Sequence, residues 1–247
     1  MVAAGQEDSM RSPYGLELTE SCQDCRLKSE GFFCKLSAKA LKAFEAVKFT
    51  TAYPEGAVLF VEGQASRGVF MLCKGRVKMS MNSSDGKALI LRIVGPGEVL
   101  GLNAAVSGRP YELTVETLEP CQVIFIKRED FLRFLGEHAE ASLRAAQQLS
   151  GSYHTACEQI RALGLSQSAP EKLARFLLNW SDKGQQTGQG IRVRLALTHE
   201  EIAQTIGSSR ETVTRTLGDF KSKQFAFLKG STLVIQNKPA LERFVSA

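Results

Sequence analysis

Two hydrophobic periods alternate along this chain, and their order predicts its architecture. Between Phe49 and Ile126, short runs rich in Val, Ile, Leu, Phe and Thr are broken by Gly56, Gly63, Gly75, Gly86, Gly95, Gly97 and Gly101. Regular turn punctuation of this kind predicts an antiparallel roll or barrel. Asp85-Gly86, between VKMSM and ALILRIV, predicts a hairpin with a type I′ turn, which needs positive φ at both central residues. Ahead of the strands, Ser37 is placed to cap a short helix carrying Leu41 and Phe44. Beyond Phe131 the period becomes helical, running through Leu135, Ala139, Leu143, Ala146, Leu149, Tyr153, Ala156, Ile160 and Leu163. This stripe predicts a long helix with more apolar turns than the cover of one sheet requires. Small residues at or near its seam, Ala146, Ser150, Ala156 and Cys157, read as a helix packed on its twin in a dimer, against the alternative of one long core helix in a monomer. Gly151 inside it costs about 1 kcal/mol relative to alanine and marks a close approach or a bend.

The last third changes period several times over short distances. Gly164 to Ala169, GLSQSA, predicts a hinge. Ser168 and Glu171 have capping-box spacing with Pro170 tolerated in the first turn, and the helix they open buries Leu173, Phe176, Leu177 and Trp180. A polar, glycine-rich loop, DKGQQTGQG, leads to a strand, IRVRLAL, and FAFLKGSTLVI alternates about Lys229-Gly230 as a hairpin should. Between strand and hairpin lies LTHEEIAQTIGSSRETVTR. Thr198 and Glu201 form a capping box, Ile202 and Ile206 bury one face of the helix it opens, and Gly207 sits where a sharp turn needs positive φ. Ser208 and Glu211 repeat the capping-box spacing and predict a second helix. Val213 and Leu217 share its inner face, which leaves Ser209, Arg210, Glu211, Thr214 and Arg215 at its N-terminal end and outer side. Those are the positions that the second helix of a helix-turn-helix offers to the major groove of DNA. Arginine can donate twice to O6 and N7 of guanine, and a carboxylate accepts from the N4 amine of cytosine. An ordinary amphipathic helix would carry the same charges as a solvated face, but two successive capping boxes around a glycine turn favour a DNA reader, and the hairpin makes it a winged one.

A length of 247 residues allows two domains, and a hydrophobic share of 43% supports packed cores. The formal charge of +5 favours polyanions without identifying DNA by itself. No apolar run approaches a membrane span, and MVAAGQEDSMRSPYG lacks a basic start followed by an apolar segment. A soluble, cytoplasmic protein with a short N-terminal arm and no membrane partner is therefore expected. No glycine-rich phosphate loop or acid–base constellation is visible, and His138, His154 and His199 are isolated in sequence, so no enzyme is expected. Six cysteines without an export signal argue for reduced thiols or metal chemistry. Cys73 and Cys157 read as buried small hydrophobes. Cys22, Cys25 and Cys34 crowd together in CQDCRLKSEGFFC, where soft thiolates suit an iron–sulfur cluster; a zinc site, a dithiol switch or functionless thiols are the other readings.

A glycine-studded roll, a long helix, a hinge and a winged helix-turn-helix ending in SRETVTR together resemble the CRP/FNR family of bacterial transcription regulators. The resemblance implies an α+β fold. Its parts are an N-terminal arm with the cysteine cluster (1–35), a double-stranded β-helix of the jelly-roll-like, cyclic-nucleotide-binding-domain type (36–136), a dimerisation helix (137–164) and a C-terminal winged helix-turn-helix (165–247). It implies a homodimer on a palindromic operator in double-stranded DNA, with half-sites one turn apart, and RNA polymerase as a partner. Arg210, Glu211 and Arg215 match base-reading positions of the catabolite activator protein, which implies a TGTGA-like half-site, while Thr214 falls where FNR carries a base-contacting serine. That regulator's nucleotide site does not transfer. Leu102 stands where a glutamate binds the ribose and Tyr111 where an arginine pairs the phosphate, with Arg109 nearby, so cAMP is not an expected ligand. CQDCRLKSEGFFC is similar instead to the cysteine cluster of FNR, although the gap from Cys25 to Cys34 is longer. That similarity implies a [4Fe-4S] cluster on Cys22, Cys25 and Cys34, with Cys121 as the fourth candidate, and control by oxygen or redox state. The competing readings are a regulator that answers a cyclic nucleotide or another small ligand without a cluster, and a thiol redox or zinc-binding protein.

Overall fold

In the computed structural model, residues 13–19, 21–22, 25, 35–83, 85–164, 168–182 and 184–246 are described. The elements run in the order α1 (Ala38–Val47), β1 (Phe49–Tyr53), β2 (Val58–Phe60), β3 (Gly68–Lys74), β4 (Val77–Asn82), β5 (Ala88–Val94), β6 (Val99–Leu100), α2 (Leu102–Ser107), β7 (Thr114–Thr117), β8 (Cys121–Lys127), α3 (Arg128–Glu137) and α4 (Ala139–Gly164). They continue with α5 (Ala169–Ser181), β9 (Gln185–Thr187), β10 (Gly190–Arg194), α6 (His199–Ile206), α7 (Arg210–Ser222), β11 (Ala226–Lys229), β12 (Thr232–Ile235) and α8 (Lys238–Ser246). The chain divides into two compact units, Met1–Met79 with Ile93–Gly151, and Ser80–Arg92 with Ser152–Ala247.

The roll is built from two four-stranded sheets, ordered β1-β8-β3-β6 and β2-β7-β4-β5, and its described pairings are antiparallel. The period of two along β8 sorts its side chains into two cores. Cys121 and Val123 pack with Leu59, Phe60, Phe70, Leu72 and Tyr111. Ile124 and Ile126 pack instead with Phe44 of α1 and Phe131 and Phe134 of α3. A sheet covered on both faces explains why GVFMLC of β3 reads as an unbroken apolar run without alternation and is buried throughout. Ser37 caps α1 as expected, its hydroxyl accepting from the Ala40 N–H.

The hairpin between β4 and β5 corrects the expected type I′ turn. Gly86 alone of the pair has positive φ, at 82°. Its N–H donates to the Ser83 carbonyl (2.9 Å), and Ser83 N–H donates to the Lys87 carbonyl (2.9 Å). The loop is thus one residue longer than a two-residue turn, and the left-handed strain that Asp85 would have carried is concentrated on the residue that lacks a Cβ. The helical stripe beyond Phe131 is also not one helix. His138, at φ −129° and ψ 91°, separates α3 from α4. Ala141 and Ala145 of α4 are buried in the first unit's core, whereas Leu143, Tyr153 and Ile160 are 61%, 74% and 70% exposed, so one face of this helix is apolar and uncovered. Cys157 is exposed too, which corrects its reading as a buried hydrophobe, while Cys73 is buried as expected.

In the second unit, α5 opens with the Ser168–Glu171 capping box and Pro170. Leu173 and Leu177 of α5 pack with Leu195, Ile202, Val213, Phe220 and Leu233 in one core. The predicted polar loop DKGQQTGQG contains a strand: β9 pairs with β10, extending a sheet ordered β11-β12-β10-β9. The main-chain ladder makes this strand without an apolar face to announce it. IRVRLAL ends as a strand at Arg194, where Trp180 Nε1 donates to the Arg194 carbonyl (2.9 Å). The expected hinge falls partly on 165–167, outside the described residues.

Candidate nucleic-acid interface

The approach to the site is set by α6. Thr198 and Glu201 make the reciprocal capping box, with Glu201 N–H donating to Thr198 Oγ1 (3.1 Å) and Thr198 N–H to Glu201 Oε2 (2.9 Å). Gly207 then adopts φ 63° and ψ 49°, and the N–H groups of Gly207 and Ser208 close on the Ala203 carbonyl, which ends α6 in a left-handed cap. A side chain at this φ would be strained, so the glycine fixes the angle between the two helices.

The second helix begins one residue later than the spacing predicts. Its cap is Ser209, not Ser208, and the hydroxyl accepts from the Thr212 N–H at 3.2 Å, so there is no second capping box. Ser208 is drawn off by its bond to Ala203 at the end of α6. The shift places Arg210 and Glu211 in the first turn of α7. Val213, Thr216, Leu217 and Phe220 are buried, while Ser209, Arg210, Glu211, Thr214 and Arg215 are all exposed. Among the described residues neither Arg210 nor Arg215 is held in an ion pair. The Glu211 carboxyl is held below the ordinary carboxylate range by its own backbone N–H and then by the Ser209 hydroxyl, so it is a charged acceptor at neutral pH. The arrangement is one exposed face with two bidentate donors, one charged acceptor and two hydroxyls, of which that of Ser209 caps the helix.

Sequence reasoning missed one member of this face. His199 Nδ1, at the start of α6, shares a hydrogen bond with Thr214 Oγ1 at 2.9 Å. Fifteen residues separate them, and only the turn at Gly207 brings them together. Both helices were legible, so laying one across the other would have found the pair. The wing hairpin of β11 and β12 turns at Gly230 and leaves Lys229 exposed beside it.

The positions singled out in the roll behave differently. Leu102 and Tyr111 are both buried, at 3% exposure each. The Tyr111 ring stacks on Phe60 with centroids 4.0 Å apart; its hydroxyl donates to the Gly68 carbonyl (2.8 Å) and accepts from the N–H groups of Arg67 and Gly68 (3.2 Å each). Arg109 is exposed.

Of the arm's cysteines, Cys22 is buried and Cys25 half-buried, while Cys34 lies outside the described residues. The arm is held to the roll by Gln122, a buried side-chain amide that acts as a strand edge: Thr19 N–H donates to its Oε1 (3.0 Å) and its Nε2 donates to the Thr19 carbonyl (2.6 Å). Cys22 N–H donates to Glu45 Oε1 (2.8 Å), and the Lys48 ammonium lies 3.4 Å from Cys22 Sγ. Burial raises the Cys22 thiol pKa, against the opposing pull of Lys48. Cys121 is not brought to this group. It packs in the core on the other face of β8 from Cys22, and its thiol donates to the carbonyls of Glu119 (3.1 Å) and Arg76 (3.4 Å). Burial pushes its pKa up to about 11. Among the described residues no three histidine, cysteine or acidic side chains converge as metal ligands. The described thiols therefore fit a four-thiolate cluster only in part, with Cys121 in a different core cluster from Cys22.

Comparison with known proteins points the same way as the interface. The cyclic nucleotide-binding domain family matches residues 50–138, and the Crp-like helix-turn-helix domain family matches residues 171–244. The CRP-like cAMP-activated global transcriptional regulator of Mycobacterium tuberculosis is 26% identical over 218 residues, 88% of this chain and 97% of the relative. The global nitrogen regulator of Synechocystis is 29% identical over 189 residues, 75% of this chain and 83% of the relative. In fold, the structure of FixK2 from Bradyrhizobium japonicum superposes with a TM-score of 0.71 at 23% identity, over 81% of this chain and 98% of that one.

Proposed function

The chain belongs to the CRP/FNR family of DNA-binding transcription regulators, and from that premise we propose that it binds a palindromic TGTGA-like operator as a homodimer, with Arg210, Glu211, Thr214 and Arg215 reading the bases. The observation that carries this is the exposed face of α7, where two guanidinium groups that no carboxylate holds in an ion pair among the described residues flank a charged carboxylate beside a rigid helix start. Arginine matches guanine in the major groove and glutamate matches cytosine. Support for the dimer comes from α4, whose uncovered Leu143, Tyr153 and Ile160 are the kind of apolar face that a twin helix buries. Two-fold symmetry then requires half-sites about one DNA turn apart. Lys229 on the wing supplies a phosphate contact, and RNA polymerase is the further partner that kinship suggests.

The test is fluorescence anisotropy of the whole chain with duplexes carrying two TGTGA half-sites. Arg210→Ala or Arg215→Ala should cost about 1 to 3 kcal/mol on the matched duplex, and much less where the contacted G·C pair has been replaced. Equal weakening on every sequence would make both residues phosphate contacts and sink the base-reading assignment.

We assign the signal to the N-terminal thiols Cys22, Cys25 and Cys34, as ligands of an oxygen- or redox-responsive [4Fe-4S] cluster whose fourth ligand is not Cys121. Bound there, such a cluster would supply a group that oxygen destroys. The chain's own contribution is the Gln122 clamp on Thr19 and the Glu45–Lys48 pair about Cys22, which couple the arm to the roll. Although the mycobacterial relative is named as cAMP-activated, buried Leu102 and Tyr111 favour a signal other than cAMP here. Iron and acid-labile sulfide in comparable amounts, with colour bleached by air in protein prepared without oxygen, is the expected result. Colourless, iron-free protein that still binds the operator would remove the cluster and leave the DNA assignment intact.

A further inference from the structure

Beside β1, β3 and β8 lies a cleft of about 640 Å³, with neither Leu102 nor Tyr111 among its lining residues. Its size falls within the range of small-molecule sites. Its floor is aromatic, formed by Phe70 and Phe125, whose ring centroids are 4.9 Å apart, with Tyr53 beside them. Its rim is cationic, formed by Arg67, Lys127 and Arg128, with Glu129 as the one carboxylate among the lining residues. Three cations against one acid leave a net charge of +2 around an apolar floor.

None of the three cations is engaged by a carboxylate among the described residues. Arg128 is held in place by Nε donation to the Ala105 carbonyl (2.8 Å), and Lys127 lies 5.9 Å from the Phe49 ring centroid. The same edge carries the start of α3, where Lys127 occupies the cap position without a side-chain hydrogen bond, so the helix end adds positive potential. A further sign of an incomplete site is Ser66, on the cleft wall, whose buried hydroxyl has no hydrogen-bond partner among the described residues. Such a group costs stability unless something arrives to satisfy it. Tyr111, through its hydroxyl, fixes the backbone of Arg67 and Gly68 next to it.

We propose that this cleft binds a small organic anion, with a flat apolar body on Phe70 and Phe125 and a carboxylate-like head between Arg67 and Lys127, within reach of Ser66. The aromatic floor excludes a bare inorganic ion as the best ligand, and the cationic rim excludes a neutral hydrocarbon. A bound anion would sit between β8 and the start of α3.

The probe is 8-anilinonaphthalene-1-sulfonate, whose sulfonate stands in for the carboxylate, titrated by fluorescence into the whole chain. Its uncharged counterpart N-phenyl-1-naphthylamine serves as the control. The double variant Arg67→Ala/Lys127→Ala should weaken the sulfonate roughly tenfold and leave the neutral amine within about twofold. Glu129→Gln should tighten the sulfonate several-fold by removing the one repelling charge, and this gain cannot arise from misfolding. Added salt should weaken the sulfonate alone. Sulfonate binding unchanged in the double variant and in Glu129→Gln would overturn the proposal, as would equal loss of both probes.

Discussion

The recognition helix and the roll interior both carry side chains singled out by sequence, yet they hold them in opposite ways. On α7, Arg210, Glu211, Thr214 and Arg215 stand in solvent, and the structure beneath them is made by neighbours three or four residues away: Thr198 with Glu201, Ser209 with Thr212, Thr216 with the Thr212 carbonyl. In the roll, Tyr111 is sealed by partners 43 and 44 residues distant, and Gln122 reaches across 103 residues to Thr19. Local scaffolding leaves an outward face available for a partner. Long-range scaffolding consumes the side chain's own hydrogen-bonding capacity, so a buried polar residue in the roll is structural unless its bonds can be exchanged. The two regions thus differ in what they leave free: α7 keeps polar side chains available in solvent, whereas the roll interior has spent them on its own packing.

The strongest way to break that contrast is at Tyr111. If its ring and hydroxyl hold the roll together, Tyr111→Ala should lower unfolding free energy by about 3 to 5 kcal/mol, since a large stacked ring leaves a cavity. Tyr111→Phe, which keeps the ring over Phe60 and removes only the hydroxyl, should cost about 1 to 3 kcal/mol. Urea unfolding with an unchanged m-value would measure both. A neutral Tyr111→Phe would mean that the hydroxyl's three bonds are dispensable, and the roll interior would then be open to exchange with a ligand.

Cys121 sharpens the contrast at smaller scale. Its thiol pKa is raised from the ordinary 9.0 to about 11 by burial. A thiol that keeps its proton longer when folded contributes stability that is whole below pH 9 and is lost as pH rises from about 9 to 11. The contribution is on the order of 2 kcal/mol. Cys121→Ser, which does not titrate in this range, should flatten the alkaline limb of the stability curve relative to the unaltered chain. Parallel alkaline limbs would show that the thiolate is tolerated there and would reopen Cys121 as a metal ligand.

What sequence made legible follows the same division. The capping boxes at Ser168 and Thr198, the turn at Gly207 and the buried Ile202, Ile206, Val213 and Leu217 were all readable because each depends on a few neighbouring residues. The cap at Ser209 was misplaced by one, because Ser208 satisfies the rule in sequence but is claimed by the Ala203 carbonyl in space. The strand at Gln185–Thr187 was invisible for a related reason: its residues are polar, and it exists through pairing with Gly190–Arg194. The break at His138 was hidden within a stripe whose apolar spacing continues across it. The separation of Cys121 from Cys22 was not legible either, since it depends on which face of β8 each core occupies. Similarity to a family could suggest a fourth ligand, but the alternation of Cys121, Val123 and Ile124 between two cores puts Cys121 and Cys22 in different clusters.

The smallest expected effect lies where the two kinds of scaffolding meet. Thr214 is on the exposed reading face, but its hydroxyl is already engaged by His199 across the turn. If that bond orients the hydroxyl toward a base, His199→Ala should weaken operator binding by a few tenths of a kcal/mol to about 1 kcal/mol, the net worth of one hydrogen bond. The loss should shrink in the Thr214→Val background, because a double-mutant cycle isolates a shared interaction. Discrimination at the base pair facing Thr214 should relax, with readout by Arg210 and Arg215 unchanged. A loss of similar size in both backgrounds, uniform over sequences, would instead make His199 a phosphate contact acting on its own, and Thr214 would then read its base without help from α6.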